Sequence, residues 1–267
     1  MAQATGIASH ARSRALAASA ASGSMAPLAQ AWGWHAALLG FLVLPAAALA
    51  AWAPQLGSQT RPAAGAAAAP KGEPVWRSAL AWQVTGFLGL NSTIYYVAIG
   101  WLPTMLTDSG MSATRAGFLH GVLQLATAVP GLLLGPIVRR MQDQRAAAAT
   151  VALCSAIALA GLAWAPQLAL LWSILFGVGT GAGMILGLAF IGLRTANAHQ
   201  AAALSGMAQC IGYLLAAAGP MAMGALHDAL GGWRVPLALC TALALLAALI
   251  GARAGRARRI GADAQEI

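Results

Sequence analysis

The sequence predicts an all-α, polytopic membrane helix bundle, and three observations carry that expectation. The 267 residues are 60% hydrophobic and only 8% charged, with a mean hydropathy of +0.73, whereas soluble domains are nearer a quarter charged. Apolar runs of about 20 residues, the length that crosses a bilayer, recur along the chain. The segments between them hold the Arg and Lys residues, and hold them unevenly.

Seven runs read as spans: His35–Ala53, Ala79–Leu102, Ala116–Val138, Ala146–Ala165, Leu168–Leu193, Ala201–Leu226 and Val235–Ala252. Trp52, Trp101, Trp164 and Trp233 mark their ends, as interfacial aromatics do. Residues 54–78 are rich in Pro, Ala and Gly and read as a cytoplasmic linker. The organisation is therefore a leading portion 1–53, the linker, a six-helix portion 79–252 and a basic tail 253–267. Residues 15–31 are small and weakly apolar, which suits either an eighth helix packed through Ala, Ser and Gly or a disordered arm.

Charge orients the bundle. Alternating spans put Arg61, Lys71, Arg77, Arg139, Arg140, Arg145, Arg194, Arg253, Arg256, Arg258 and Arg259 on one side and only Arg115 and Arg234 on the other. The positive side stays cytoplasmic, so the expectation is an inner-membrane, multi-pass protein with a cytoplasmic C-terminus. The +9 net charge is thus a topology signal and not a nucleic-acid patch. Cys154, Cys210 and Cys240 lie in apolar runs and read as buried small hydrophobes. No phosphate-binding loop, metal-ligand motif, nucleophile elbow or mid-span acidic pair is present, so no enzyme, cofactor or metal is expected.

Polar groups recur mid-span. On 83–102, Thr85, Gly89, Ser92 and Tyr96 share one helical face, with Asn91 and Tyr95 beside it. Phe87, Leu90, Ile94, Val97 and Trp101 fall opposite and read as lipid-facing. On 204–220, Ser205, Gln209, Gly212, Ala216 and Gly219 make a second stripe, flanked by Tyr213. His120 and Gln124, one turn apart, add a third set. Hydrocarbon offers such groups no partner, so they either bond neighbouring helices or line a cavity. Amides and phenols both donate and accept without charge, which suits a small anion or a polar solute. The expectation is that Asn91, Tyr95, Tyr96, His120, Gln124, Gln209 and Tyr213 contact substrate, with Asn91 and Gln209 facing one water-reachable cavity. His120 either bonds a neighbouring helix in neutral form or couples transport to protons. Gly179, Gly181 and Gly183 read as close helix packing or as flexing points, alongside Pro130 and Pro220.

The stretches "WQVTGFLGLNSTIYYVAIGWLPTMLTDSGMS" (82–112) and "RTANAHQAAALSGMAQCIGYLLAAAGPMAMGALHDALGGWRVPL" (194–237) resemble the C-terminal half of cyanate/2-nitroimidazole permeases of the major facilitator superfamily. The Trp101-Leu102-Pro103 corner and Leu204-Ser205-Gly206-Met207-Ala208-Gln209 carry most of the likeness, which runs from about 24 to 252. It implies a twelve-helix permease of two six-helix halves, driven by an ion gradient, with substrate between the halves. "GPIVRRMQDQR" (135–145) is similar to the superfamily's cytoplasmic signature loop, which gives Arg139, Arg140, Asp143 and Arg145 a role in latching one conformation. On this mapping 35–53 matches the sixth helix, and the first four helices have no counterpart. The alternatives are therefore a drug exporter of the same fold and a non-transporting membrane fragment, self-associating or awaiting the missing half.

Overall fold

The structure, a computed structural model, describes residues 42–53 and 74–261 together with scattered positions between Trp32 and Gly40. The side chains at 132, 133, 135–137, 139 and 140 are also outside the description. The expected helix at 15–31, the body of the linker and the Arg139 and Arg140 side chains therefore lie outside the described residues. Two compact units divide the chain, one holding 13–71 and the other holding the six long helices. The first contributes α1, Val43–Trp52, ten apolar residues from within the run 35–53.

The second unit opens with a 3-10 turn at Val75–Arg77 and continues with α2 (Ala79–Asp108), α3 (Ala113–Arg140), α4 (Arg145–Trp164), α5 (Ala169–Leu193), α6 (Ala198–Leu230) and α7 (Arg234–Ala254). Each expected span from 79 onward becomes one of these helices. Caps and punctuation set the limits. Ser112 accepts from the Arg115 N–H at 3.3 Å to start α3, and Asn197 accepts from the Gln200 N–H at 2.9 Å to start α6. Gly231, at φ 68°, ends α6 in the left-handed region that glycine adopts without strain. Helices α4, α5, α6 and α7 are long and apolar enough to cross a membrane. Helix α2 has 30 residues and α3 has 28, lengths that also suffice, but both are diluted by the mid-span polar groups.

Two expectations about α2 need correction. It does not end at a Trp-Leu-Pro corner; it runs through Pro103 to Asp108. Proline at 103 deprives the Ile99 carbonyl of its usual i+4 donor, and the His120 imidazole of α3 lies beside the Ile99 backbone. Nor is the Phe87–Ile94–Val97 side turned to lipid. Phe87, Ile94 and Val97 are buried, as are Thr85, Asn91 and Ser92 across the helix. Helix α2 packs against α3, α5, α6 and α7, so both of its faces are covered.

Small residues let these helices approach. Gly89 of α2 meets Gly212 of α6 so closely that an added Cβ would sit 3.1 Å from the Gly212 Cα. Gly179 of α5 lies against Ser155 and Val151 of α4, Gly181 against the backbone of Thr127 on α3, and Gly183 against the amide of Asn91. Helix α5 runs unbroken through these glycines, which the structure uses for helix crossings. Pro130 and Pro220 lie within unbroken α3 and α6, and the Pro220 carbonyl accepts from Trp101 Nε1 at 2.8 Å.

Alternating helices bring three connections to each end of the unit. The tail end gathers 141–144, 194–197 and the residues after α7. The far end gathers 109–112, 165–168 and 231–233.

Candidate functional site

The seven mid-span candidates separate into three groups. Tyr95 of α2 donates its hydroxyl to Gln124 Oε1 of α3 at 2.8 Å, and His120 stands one turn from Gln124 on the same helix. His120 Nε2 is buried without a hydrogen-bond partner among the described residues. The Tyr95 and Tyr96 rings meet edge to face with centroids 5.5 Å apart, and Tyr96 is 39% exposed. This α2–α3 group therefore combines two phenols, an amide and an imidazole with one buried, unpartnered nitrogen. It can donate to and accept from a polar solute without placing a fixed charge in hydrocarbon.

The second group lies between α2 and α6. Gln209 donates to Ser205 Oγ at 2.6 Å within α6. Gln209, Tyr213 and Ser92 border a crevice between the two helices that is too narrow for a water molecule. Tyr213 is 37% exposed, so its ring stands at the surface of the unit.

Asn91 stands apart, and the expectation of a cavity shared with Gln209 is corrected. Its Nδ2 donates to the Thr180 carbonyl of α5 at 3.1 Å, and its Oδ1 rests against Gly183. A planar amide fits there because residue 183 has no side chain. Asn91 thus ties α2 to α5 in the dry interior, while Gln209 faces the α2–α6 seam. The sequence spacing put both on one stripe, but α2 meets α5 and α6 on different sides.

Of the four residues expected to latch one conformation, the structure describes the side chains of Asp143 and Arg145. Asp143 Oδ1 accepts from the Arg145 backbone N–H at 2.6 Å, an Asx turn at the entry to α4. Among the described residues neither side chain makes an ion pair there. The neighbouring Gln144 carries the contact between elements instead. Arg194, only 3% exposed, directs Nη2 to Gln144 Oε1 and to the Gly255 carbonyl at 3.0 Å, and Nε to the Ala254 carbonyl at 2.8 Å. The Gln144 N–H donates to the Gly255 carbonyl at 3.0 Å, and the Ile260 N–H to the Arg194 carbonyl at 2.8 Å. Burial lowers the pKa of the Arg194 guanidinium and the Asp143 charge opposes that, but an arginine remains protonated. One guanidinium so joins the ends of α5 and α7 to the α3–α4 connection. Sequence reasoning counted Arg194 only as a topology charge. Its partners are peptide carbonyls and one amide, which leave no motif to read.

The far end holds a second group that the sequence did not single out. Asp108 closes α2 and accepts from Trp233 Nε1 at 2.7 Å, with His227 Nε2 at 3.6 Å from the same oxygen. His227 stacks on Trp233 with centroids 4.1 Å apart, and Trp101 packs on the same Trp233 indole at 5.3 Å. The available signal was that Asp108, His227 and Trp233 all stand at ends of spans that finish on the same side.

Comparisons with known proteins accord with this architecture. Residues 3–217 match the model of the Major Facilitator Superfamily. The chain is 53% identical over 245 residues to the 2-nitroimidazole transporter of Escherichia coli K12, covering 91% of this chain and 62% of that protein. It is 39% identical over 248 residues to the uncharacterized transporter YycB of Bacillus subtilis 168, covering 91% and 61%. A more distant match, 30% over 154 residues, is to the cyanate transport protein CynX of E. coli K12, covering 57% and 40%. The chain thus spans about three fifths of the length of the first two relatives. Its apolar helices and these relatives make it an integral membrane protein of a transporter lineage and not an enzyme, and the chain belongs to the major facilitator superfamily.

Proposed function

We propose that the six long helices form one half of a secondary-active transporter for a small polar or anionic solute, held near mid-membrane against a second half. The Tyr95–Gln124 hydrogen bond, with the buried and unpartnered His120 nitrogen one turn from Gln124, carries the reading. A site between two halves needs polar groups that remain available on each one, and this group supplies donor and acceptor atoms at the depth where lipid supplies none. Asn91 supports the group from behind by fixing α2 against α5. The half-exposed phenols of Tyr96 and Tyr213 gain polar or protein cover when the second half is in place.

The solute class is small, flat and conjugated, of the cyanate or 2-nitroimidazole kind, which the named substrates of the relatives support. Coupling to a proton gradient runs through His120, the one histidine well inside a span. The tail faces the cytoplasm, a placement that the Arg and Lys distribution supports.

The test is uptake of radiolabelled 2-nitroimidazole and cyanate. The cells express the 267-residue chain with the N-terminal half of the E. coli relative, and in parallel each polypeptide alone. Saturable accumulation of either solute in the paired cells, lost with Gln124→Ala, supports the proposal. Accumulation unaltered by Gln124→Ala, or none in any arm while both polypeptides reach the membrane, overturns it.

A further inference from the structure

We propose that the far end of the six-helix unit carries a separate binding site for a small planar organic anion. A cavity of about 550 Å³ opens there between the ends of α2 and α4 and the α6–α7 turn, a size suited to a small molecule. Its floor is apolar, with Leu106, Leu162 and Leu237, and its walls include the Trp164 and Trp233 indoles. It is distinct from the mid-span groups: no residue of the Tyr95–Gln124–His120 set or of the α2–α6 crevice borders it.

The charges sort the ligand. Asp108 is the acid of the cavity, and its carboxylate already accepts from Trp233 Nε1 and lies 3.6 Å from His227 Nε2. The second nitrogen of His227 lies 3.2 Å from Asp228, whose side chain is turned to the outside. Arg234, by contrast, makes no ion pair or side-chain hydrogen bond among the described residues. It also stands at the first position of α7, where no acidic residue and no side-chain cap offsets the positive end of the helix. Of the two charges that border the cavity, Arg234 is therefore the one with no bonded partner among the described residues. The exposed Trp164 ring gives a planar ligand a face on which to stack, and an arginine is the side chain best shaped to grip a carboxylate. A flat, conjugated monocarboxylate meets both requirements. A neutral ring would leave the guanidinium unmatched, and a cation would compete with the Trp233 indole and His227 for Asp108, both of which already contact its Oδ2.

Benzoate is the probe. Equilibrium dialysis of ring-labelled benzoate against the purified chain in detergent should show saturable binding, with benzamide and tetraethylammonium failing to compete. Losing one charge-assisted contact lowers affinity about tenfold, so Arg234→Gln should weaken benzoate by that factor. Trp164→Ala should weaken it several-fold. Asp108→Asn keeps an acceptor for Trp233 and removes a negative charge, so it should leave benzoate binding unchanged or tighter. Gln124→Ala, in the mid-span group, should not alter it. All variants are first checked for an unchanged elution volume and unfolding midpoint, and Arg234 is exposed enough to be replaced without loss of packing. Equal binding of benzamide, benzoate binding unmoved by Arg234→Gln, benzoate binding lost with Gln124→Ala, or no saturable binding would each overturn the proposal. So would tetraethylammonium binding that Asp108→Asn removes.

Discussion

At the tail end of the six-helix unit a buried cation is bonded to peptide groups; at the far end a half-exposed anion is bonded to an indole. Arg194 reaches Ala254, Gly255 and Gln144, and the returning Ile260 N–H bonds its own carbonyl, so three connections are held through the backbone. Asp108 reaches only side chains, those of Trp233 and His227, and leaves a cavity of about 550 Å³ beside them. The difference teaches where such a unit is rigid. Backbone carbonyls cannot turn away from a buried guanidinium, and a guanidinium without them would be a buried unmatched charge. Side chains at a half-open rim can re-orient towards water or towards a ligand at little cost.

Removing the clamp is expected to have the largest effect. Arg194→Met leaves two carbonyls and the Gln144 amide without their donor and should destabilise the unit by about 3 kcal/mol. The measurement is the unfolding midpoint in detergent, and Arg194→Lys should recover only part, because a single ammonium cannot reproduce the forked geometry. An unchanged midpoint in Arg194→Met would remove the rigid end of the comparison.

A substitution between the two ends comes next. At Gly181 an added Cβ would lie 2.8 Å from the Thr127 Cα, on backbone that cannot give way. Gly181→Ala should cost about 2 kcal/mol through overpacking of the α3–α5 crossing. Gly206→Ala meets nothing within 4 Å and should be neutral or stabilise α6 slightly. Equal midpoints for the two would mean that α3 and α5 are not in contact there.

At the far end, Asp108→Ala should cost about 1 kcal/mol, since its carboxylate is partly solvated. The same variant should raise the quenching of Trp233 fluorescence by iodide, in a background where the other tryptophans are replaced. No change in quenching would break the assigned Asp108–Trp233 bond. The smallest effect on stability is expected at His120, where the readout is functional. His120→Gln should flatten the pH dependence of solute uptake in the paired cells. A pH profile identical to that of the unsubstituted chain leaves His120 with only a packing role between α2 and α3.

The helices were legible in the sequence for a simple reason. Runs of about 20 apolar residues have one stable solution in a membrane, and residues 79–252 become six helices, of which α2 alone runs well past its expected end, to Asp108. The partners of the polar residues were far less legible. Periodicity assigns a face to each residue of α2 but not the number of neighbours, and a helix covered on both sides has no lipid face to find. Asn91 therefore went to α5 and Gly183, while Tyr95 went to α3 and Gln124. His120 was visible as the mid-span histidine, yet its place beside the Ile99 backbone depends on another helix. Arg194 and Gln144 escaped because what they grip is backbone, which every sequence possesses. Asp108, His227 and Trp233 escaped because they come from separate helix ends that only the fold brings together.

Hydrogen exchange on the purified chain in nanodiscs tests the contrast between the ends most directly. The Gln144 and Ile260 amides donate to Gly255 and Arg194, whereas Gly232 and Trp233 lie in the turn beside the open cavity. The account predicts that the two tail-end amides exchange at least about tenfold more slowly than the two far-end amides, and that Arg194→Met erases the difference by accelerating the tail end alone. Equal rates at both ends in the unsubstituted chain, or a tail end unaffected by Arg194→Met, would contradict it.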